Sequence, residues 1–226
     1  MQARNTKSES EKLQYYNLKG ELAGVEEKKK LHQKMREEYR KTGKVSIKHR
    51  HVRVLLMTTS GKVMLQQRSK WKSDNPGLWD KTIGGHVGLG DDYDVAVLKE
   101  CAEELGIPAT IVNKDRFEKT VQTANTSIIA ILRILEVDEN YVSNRISSDG
   151  SPWVEPNITA FYFGYYDGPV WFIDSESSGI QLFTVQELND ALKKKPEEFS
   201  EDIKYIVKKW GKLVKPLEKI GKTLND

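Results

Sequence analysis

The chain has a single cysteine, Cys101, in 226 residues, which excludes an internal disulfide framework and fits a reducing compartment. It has no apolar run near the ~18 residues of a membrane span. Its first residues, Met1 to Gln14, lack the apolar stretch of a signal peptide. A charge excess is missing too: 36 basic against 33 acidic residues leave +3, so neither nucleic acid nor a membrane is an expected partner. No internal repeat is present. With 38% apolar residues, what remains suffices for one substantial core in a soluble, cytoplasmic protein.

Residues 1 to about 11 are polar and read as a mobile tail. Leu13 to Thr42 is dense in Lys and Glu, and Leu22, Val25, Leu31 and Met35 give it a sparse helical stripe with a solvated face. Val52 to Met57 and Lys62 to Arg68 flank a glycine turn and read as a β-hairpin. Pro76 to Asp80 is a turn, and Thr82 to Gly90 reads as a glycine-rich loop. Asp92 or Asp94 caps a helix that Gly106 ends. Ala109 to Gln122, Thr126 to Val137 and Ile158 to Tyr166 read as strands, with a long loop from Asp138 to Pro156 as a specificity element. Thr184 with Glu187 forms a capping box for a further helix, and residues 199 to 218 read as another amphipathic one. The mixture points to an α/β or α+β sandwich. Residues 1–45, 46–195 and 196–226 are expected as a charged N-terminal segment, the main domain and a helical extension packed on it.

Between Gly84 and Ile107 the chain places six carboxylates and five glycines. Residues three and four apart share a helix face, so Glu100, Glu103 and Glu104 converge. Val97, Cys101 and Leu105, helped by Leu98, form the opposite, buried stripe. Like charges at this spacing cost roughly 0.2–0.5 kcal/mol per pair. A hard dication removes that repulsion, because magnesium takes oxygen ligands and is shared with substrate phosphates. The glycines before the helix allow close backbone approach. Three glutamates on a helix are, by themselves, more often a solvated surface; the flanking glycines turn the reading toward metal.

Gly85, then Asp91, then Lys99-Glu100-Cys101-Ala102-Glu103-Glu104-Leu105-Gly106-Ile107 resembles the Nudix hydrolase signature with unbroken spacing. Three positions depart: Asp91 stands for Glu, Lys99 for Arg and Cys101 for an aliphatic residue. Lys99 loses the fork geometry of Arg, and Cys101 behaves as a small apolar residue. The resemblance implies a Nudix-type α/β/α sandwich with a mixed sheet. It also implies Mg2+ or Mn2+ held by Glu100, Glu103, Glu104 and the Gly85 carbonyl, with Glu155 as a further acidic ligand. Activated water would attack a diphosphate, with Glu100 the first choice of base and Glu155 the second.

Arg68, Lys72, Pro76 to Asp80 and Gly84 to Gly90 are similar to the branch that includes type I isopentenyl-diphosphate isomerase and its hydrolase-like bacterial relatives. There, Arg68, Lys72, Gly84 and Gly85 would hold the substrate diphosphate, and His32, His49 and His86 with Glu155 would form an additional metal site. That isomerase has a cysteine where this chain has Gly84, and its second catalytic acid falls at Asn157. Glu100 and Glu103 belong to the hydrolase pattern. Expected, therefore, is a hydrolase of nucleoside di- or triphosphates or related diphosphates. An isomerase and a non-catalytic Nudix-fold binding protein are the alternatives. The partner is a small molecule, and a homodimer is left open. Trp71, Trp79, Trp153 and Phe161 read as core first and as base-stacking residues second.

Overall fold

The computed structural model describes residues 11–173, 177–213 and 217. In chain order the elements are β1 (Lys12–Asn17), β2 (Leu22–Glu27), α1 (Lys28–Thr42), β3 (Ile47–Met57), β4 (Lys62–Arg68), β5 (Trp79–Asp80) and β6 (Ile83–His86). Then follow α2 (Tyr93–Leu105), β7 (Ala109–Ile111), α3 (Lys114–Thr123), β8 (Ala130–Ile146), β9 (Pro152–Tyr165), β10 (Ser177–Thr184), α4 (Val185–Lys194) and α5 (Glu201–Trp210). The strands form one mixed sheet with the path β10-β4-β3-β9-β8-β7; β1 and β6 also pair with β3, β2 with β1, and β5 with β4. Only the β3–β9 and β7–β8 pairings are parallel among the described residues.

Local chemistry accounts for the element ends. The Asp92 side chain accepts from the Val95 amide and starts α2, and Gly106 ends it in the left-handed conformation at φ 61°. Thr184 and Glu187 make both halves of a capping box on α4. One sheet face packs Val54, Leu56 and Tyr162 against Val97, Cys101 and Leu105 of α2. The other packs Leu55, Phe161 and Phe163 against Phe117 of α3, Leu188 of α4, and Ile203 and Ile206 of α5. Each such fully buried side chain contributes about 1.5–3 kcal/mol, so the two layers hold the sheet from both sides. The result is the expected α/β/α sandwich with a mixed sheet.

Several sequence expectations need correction. Residues 12–27 form a hairpin rather than the start of a charged helix, because the Asn17 side chain accepts from the amides of Lys19 and Glu21 and fixes a turn. Leu22 and Val25 are accordingly exposed, while Leu31 and Met35 of α1 are buried. The glycine-rich segment contains a strand, β6, paired with β3. Ala109 to Gln122 splits into β7 and helix α3. The supposed loop from Asp138 to Pro156 is the outer part of the β8–β9 hairpin, turning at residues 147–151. Leu98 sits on the exposed side of α2. Among the described residues of the 199–218 segment, the α-helix is α5, with a short 3-10 turn after it. The expected N-terminal tail and the last part of the C-terminal extension lie outside the described residues.

Candidate functional site

Two sets of side chains meet at one cleft of about 880 Å³, on either side of β6. Successive residues of this short strand address opposite sides. Gly85, opposite Val52 in the ladder, faces α2, where a Cβ would overlap the Glu100 carboxylate. His86, opposite His51, turns its ring toward the other histidines, tilted 50° to His51 and nearly parallel to His49.

On the α2 side, Glu100, Glu103 and Glu104 all line the cleft with Gly85. Glu104 is buried and accepts from Gln66 Nε2 at 3.3 Å, whereas Glu100 and Glu103 are half-buried. This all-oxygen donor set suits a hard dication such as magnesium. Asp91 accepts from Lys99 Nζ at 2.7 and 3.0 Å. Cys101 is buried beneath the acids; burial pushes its thiol up, with Glu104 and Glu100 adding to the shift. It is an inert packing residue.

The floor and rim are cationic. Arg68 donates to the Asp74 carbonyl and lies 3.5 Å from Asp80 while still lining the cleft with Lys72. Gly84 faces Lys81, whose side chain fills the space a Cβ would need. Lys81 Nζ in turn contacts Asp80 at 2.9 Å and Asp202 at 3.0 Å. Asp202, from α5, also accepts from Arg53, Tyr141 and Ser143. Burial works to raise its carboxyl, but Arg53, Lys81 and Arg145 hold it well below the usual carboxylate range.

The four histidines of the chain gather around one carboxylate oxygen. Glu155 Oε1 lies 3.1 Å from His32 Nε2, 3.3 Å from His49 Nε2 and 3.7 Å from His51 Nε2; His86 Nε2 lies 3.2 Å from His32 Nε2. His32, His49, His86 and Glu155 place one potential ligand atom each within 4.8 Å of one another. The other Glu155 oxygen accepts from Arg145 at 2.7 and 3.0 Å. Burial lowers the pKa of His49, and of His51 and His86 much further, which leaves neutral imidazoles, the form that binds metal. For Glu155 burial acts upward, but Arg145 and the histidines outweigh it and hold the carboxyl well below its usual range.

The four aromatics separate. Phe161 and Trp153 are buried, and Trp153 donates to Asp74. Trp79 packs edge-on against Phe183. Trp71 is 94% exposed at the cleft rim. Its loop is nevertheless pinned by the Arg68–Asp74 contact and by Asn75, which exchanges hydrogen bonds with Ile146.

The NUDIX domain family model matches residues 47–203. The chain belongs to the Nudix family. A curated relative of this Nudix protein, an isopentenyl-diphosphate Delta-isomerase of Nocardia farcinica, is 42% identical over 73 residues, 32% of this chain and 40% of that one. A Nudix hydrolase of Streptomyces coelicolor is 40% identical over 60 residues, 26% of this chain and 33% of the relative. These matches thus span less than two thirds of either relative. An isopentenyl-diphosphate Delta-isomerase of Serratia proteamaculans is 23% identical over 72% of this chain and 76% of its own. A solved Deinococcus radiodurans protein shares the fold with a TM-score of 0.57 at 20% identity, over 88% of this Nudix chain and 98% of that one.

His51, Arg53, Lys81 and Arg145 line the cleft of this Nudix domain and Asp202 pairs with three of them; sequence reading missed all five. A signal existed for two of them: His51 and Arg53 continue the two-residue alternation of His49 along β3. Asp202 had none, because its partners lie as far as 149 residues away in sequence.

Proposed function

We propose that the chain hydrolyses the diphosphate linkage of a nucleoside di- or triphosphate or a related diphosphate, with magnesium or manganese at Gly85, Glu100, Glu103 and Glu104. The observation that carries this reading is the packing of the Glu100 carboxylate on the bare backbone of Gly85, in the same cleft as the other two glutamates and Arg68. The dication, when bound, polarises phosphate oxygens and lowers the pKa of water. Glu100 takes the proton of the attacking water as its oxygen bonds to phosphorus and the bridging phosphoanhydride bond breaks. Glu155 is poorly suited to that role, since Arg145 engages one of its oxygens and the histidines surround the other. Arg68 and Lys72 line the same cleft and hold phosphate charge. Trp71, exposed at the rim, offers a planar face to a base.

A second reading, an isoprenoid-diphosphate isomerase, is favoured by the histidine cluster and by the Serratia relative's name. Against it, Lys81 occupies the space beside Gly84 where the isomerase pattern has its cysteine, and Asn157 carries no acid. Retention of all three α2 glutamates argues against a non-catalytic module. Incubating the protein and magnesium with nucleotides, nucleotide sugars and prenyl diphosphates, and following phosphate release and prenyl isomer ratios, separates the three. Hydrolysis abolished by chelation supports the proposal; isomerisation without hydrolysis, or neither, overturns it.

A further inference from the structure

Arg68 lines the cleft on a long, flexible side chain. Such a group loses affinity for phosphate to the entropy of its own rotamers unless the protein fixes it beforehand. One acceptor fixes it here: the Asp74 carbonyl receives Arg68 Nε at 3.0 Å and Nη2 at 2.8 Å. That engages one edge of the guanidinium and sets Nη1 3.5 Å from Asp80 Oδ2. The direction in which Arg68 meets a phosphate therefore depends on where the Asp74 peptide lies.

Contacts remote in sequence hold that peptide. The Asp74 carboxylate accepts from Trp153 Nε1 of β9 at 2.8 Å and from Arg36 Nη2 of α1 at 2.7 Å, partners 79 and 38 residues away. The next residue, Asn75, is bonded twice to Ile146 of β8. Its amide donates to the Ile146 carbonyl at 2.7 Å, and its Oδ1 accepts from the Ile146 amide at 2.9 Å. Asp74 also forms a bridge with Ser147, and the Ser148 amide donates to the Ser73 carbonyl at 2.9 Å. Residues 73–75 thus run beside the tip of the β8–β9 hairpin like a short extra strand.

This pairing is held at a conformational cost. Asn75 is the one non-glycine residue at positive φ among the described residues, at 50°, although Pro76 behind it favours an extended predecessor. It is 2% exposed, and its Nδ2 is buried without a hydrogen-bond partner. Glycine would take this backbone conformation freely and bury no amide donor. What asparagine adds is the Oδ1 acceptor, which closes the second bond to Ile146. Backbone strain of this kind persists where surrounding contacts over-determine it, and it gathers beside groups that clamp ligands.

We infer, resting on the reading of Arg68 as a phosphate ligand of the proposed hydrolase, that Asn75 is a positioning residue for the Arg68 guanidinium. By tying the Asp74 peptide to Ile146, it hands the frame of the β8–β9 hairpin to the group that grips the substrate. Its side chain acts through Arg68 and not on the phosphate itself.

The test is calorimetric binding of methylenediphosphonate, a diphosphate analogue whose bridge does not hydrolyse, to the full chain in excess magnesium. Arg68→Ala should weaken binding at least about tenfold. Asn75→Ala should also weaken it about tenfold, through misplacement of the guanidinium. The double variant should bind no more weakly than Arg68→Ala alone, because nothing is left to position. Asn75→Gly keeps the backbone conformation and loses only the acceptor, so it should weaken binding about threefold, and only when Arg68 is present. It carries the same cycle if the alanine variant does not fold. Unchanged affinity in the Asn75 variants, or a loss that persists in the Arg68→Ala background, would overturn the inference and leave the hydrolase reading standing. Unchanged affinity in Arg68→Ala would remove Arg68 from the substrate grip, and the inference would fall with that part of the reading.

Discussion

Lys99 Nζ sits 2.7 Å from Asp91 Oδ2, so two of the departures from the Nudix signature are partners. The shorter acid and the long, flexible amine meet across the start of α2, where Gly88 and Asp91 also share a turn. The Lys99 side chain is half exposed, which limits the energy of the pair. A double-mutant cycle with Asp91→Asn and Lys99→Met should give a coupling of about 0.2–1 kcal/mol by urea unfolding. A coupling near 3 kcal/mol would mean a buried, structural role.

Gly84 and Gly85 are adjacent but should respond differently to alanine. At Gly85 a methyl displaces the Glu100 carboxylate; at Gly84 it displaces the far end of Lys81. Gly85→Ala should lower turnover by about a hundredfold, the effect of misplacing a reacting group by ~1 Å, with little change in melting temperature. Gly84→Ala should lose less activity and more stability, because Lys81 is tied to Asp80 and Asp202. Equal turnover in the two variants would refute the assigned role of Glu100.

Glu103→Gln should reduce diphosphate hydrolysis by orders of magnitude while leaving circular dichroism and melting unchanged. Full activity in this variant removes the acidic face of α2 from the mechanism.

Asp202→Asn leaves Arg53, Lys81 and Arg145 without their shared counter-charge, at a cost of about 3–5 kcal/mol near neutrality. The folded carboxyl is held well below its usual range, so its contribution is present above the unfolded pKa of about 3.9 and is lost as pH falls through the lower folded value. The stability gap between wild type and Asp202→Asn should therefore be constant from pH 7 to 5 and narrow below about pH 4. A gap that widens on acidification would contradict the assignment.

Trp71→Ala removes an exposed ring and should shift stability by less than about 0.5 kcal/mol. If Trp71 stacks on a base, KM for nucleotides should rise about tenfold, in line with ~1–3 kcal/mol per stacked base, while an alkyl diphosphate is unaffected. An equal effect on both substrates would point to loop positioning instead.

Features encoded within a few residues were legible. The Thr184–Glu187 capping box, the Asp92 cap and the Gly106 stop depend on neighbours in sequence, and each stands where the residue types put it. The outer part of β8 was illegible because its polarity is inverted: Ser143 and Arg145 point inward, while Val142 and Ile146 are about half exposed. A buried ionic layer beneath the cleft reverses the usual alternation, so the strand looks like a loop. Strand β6 was hidden by glycines whose task is to let Glu100 and Lys81 approach. The histidines come from α1, β3 and β6, and only the resemblance brought three of them together; His51 lay outside it.

Asp202 enters the site from α5, near the end of the matched family region. During synthesis every other member of that ionic layer emerges first, so the nascent sheet must wait with its guanidinium and ammonium groups solvated. Truncation just before Glu201 should therefore leave Arg53, Lys81 and Arg145 without that counter-charge and also strip Ile203 and Ile206 from the apolar layer they share with Phe161 and Phe163, so that the ionic floor and one core layer fail together.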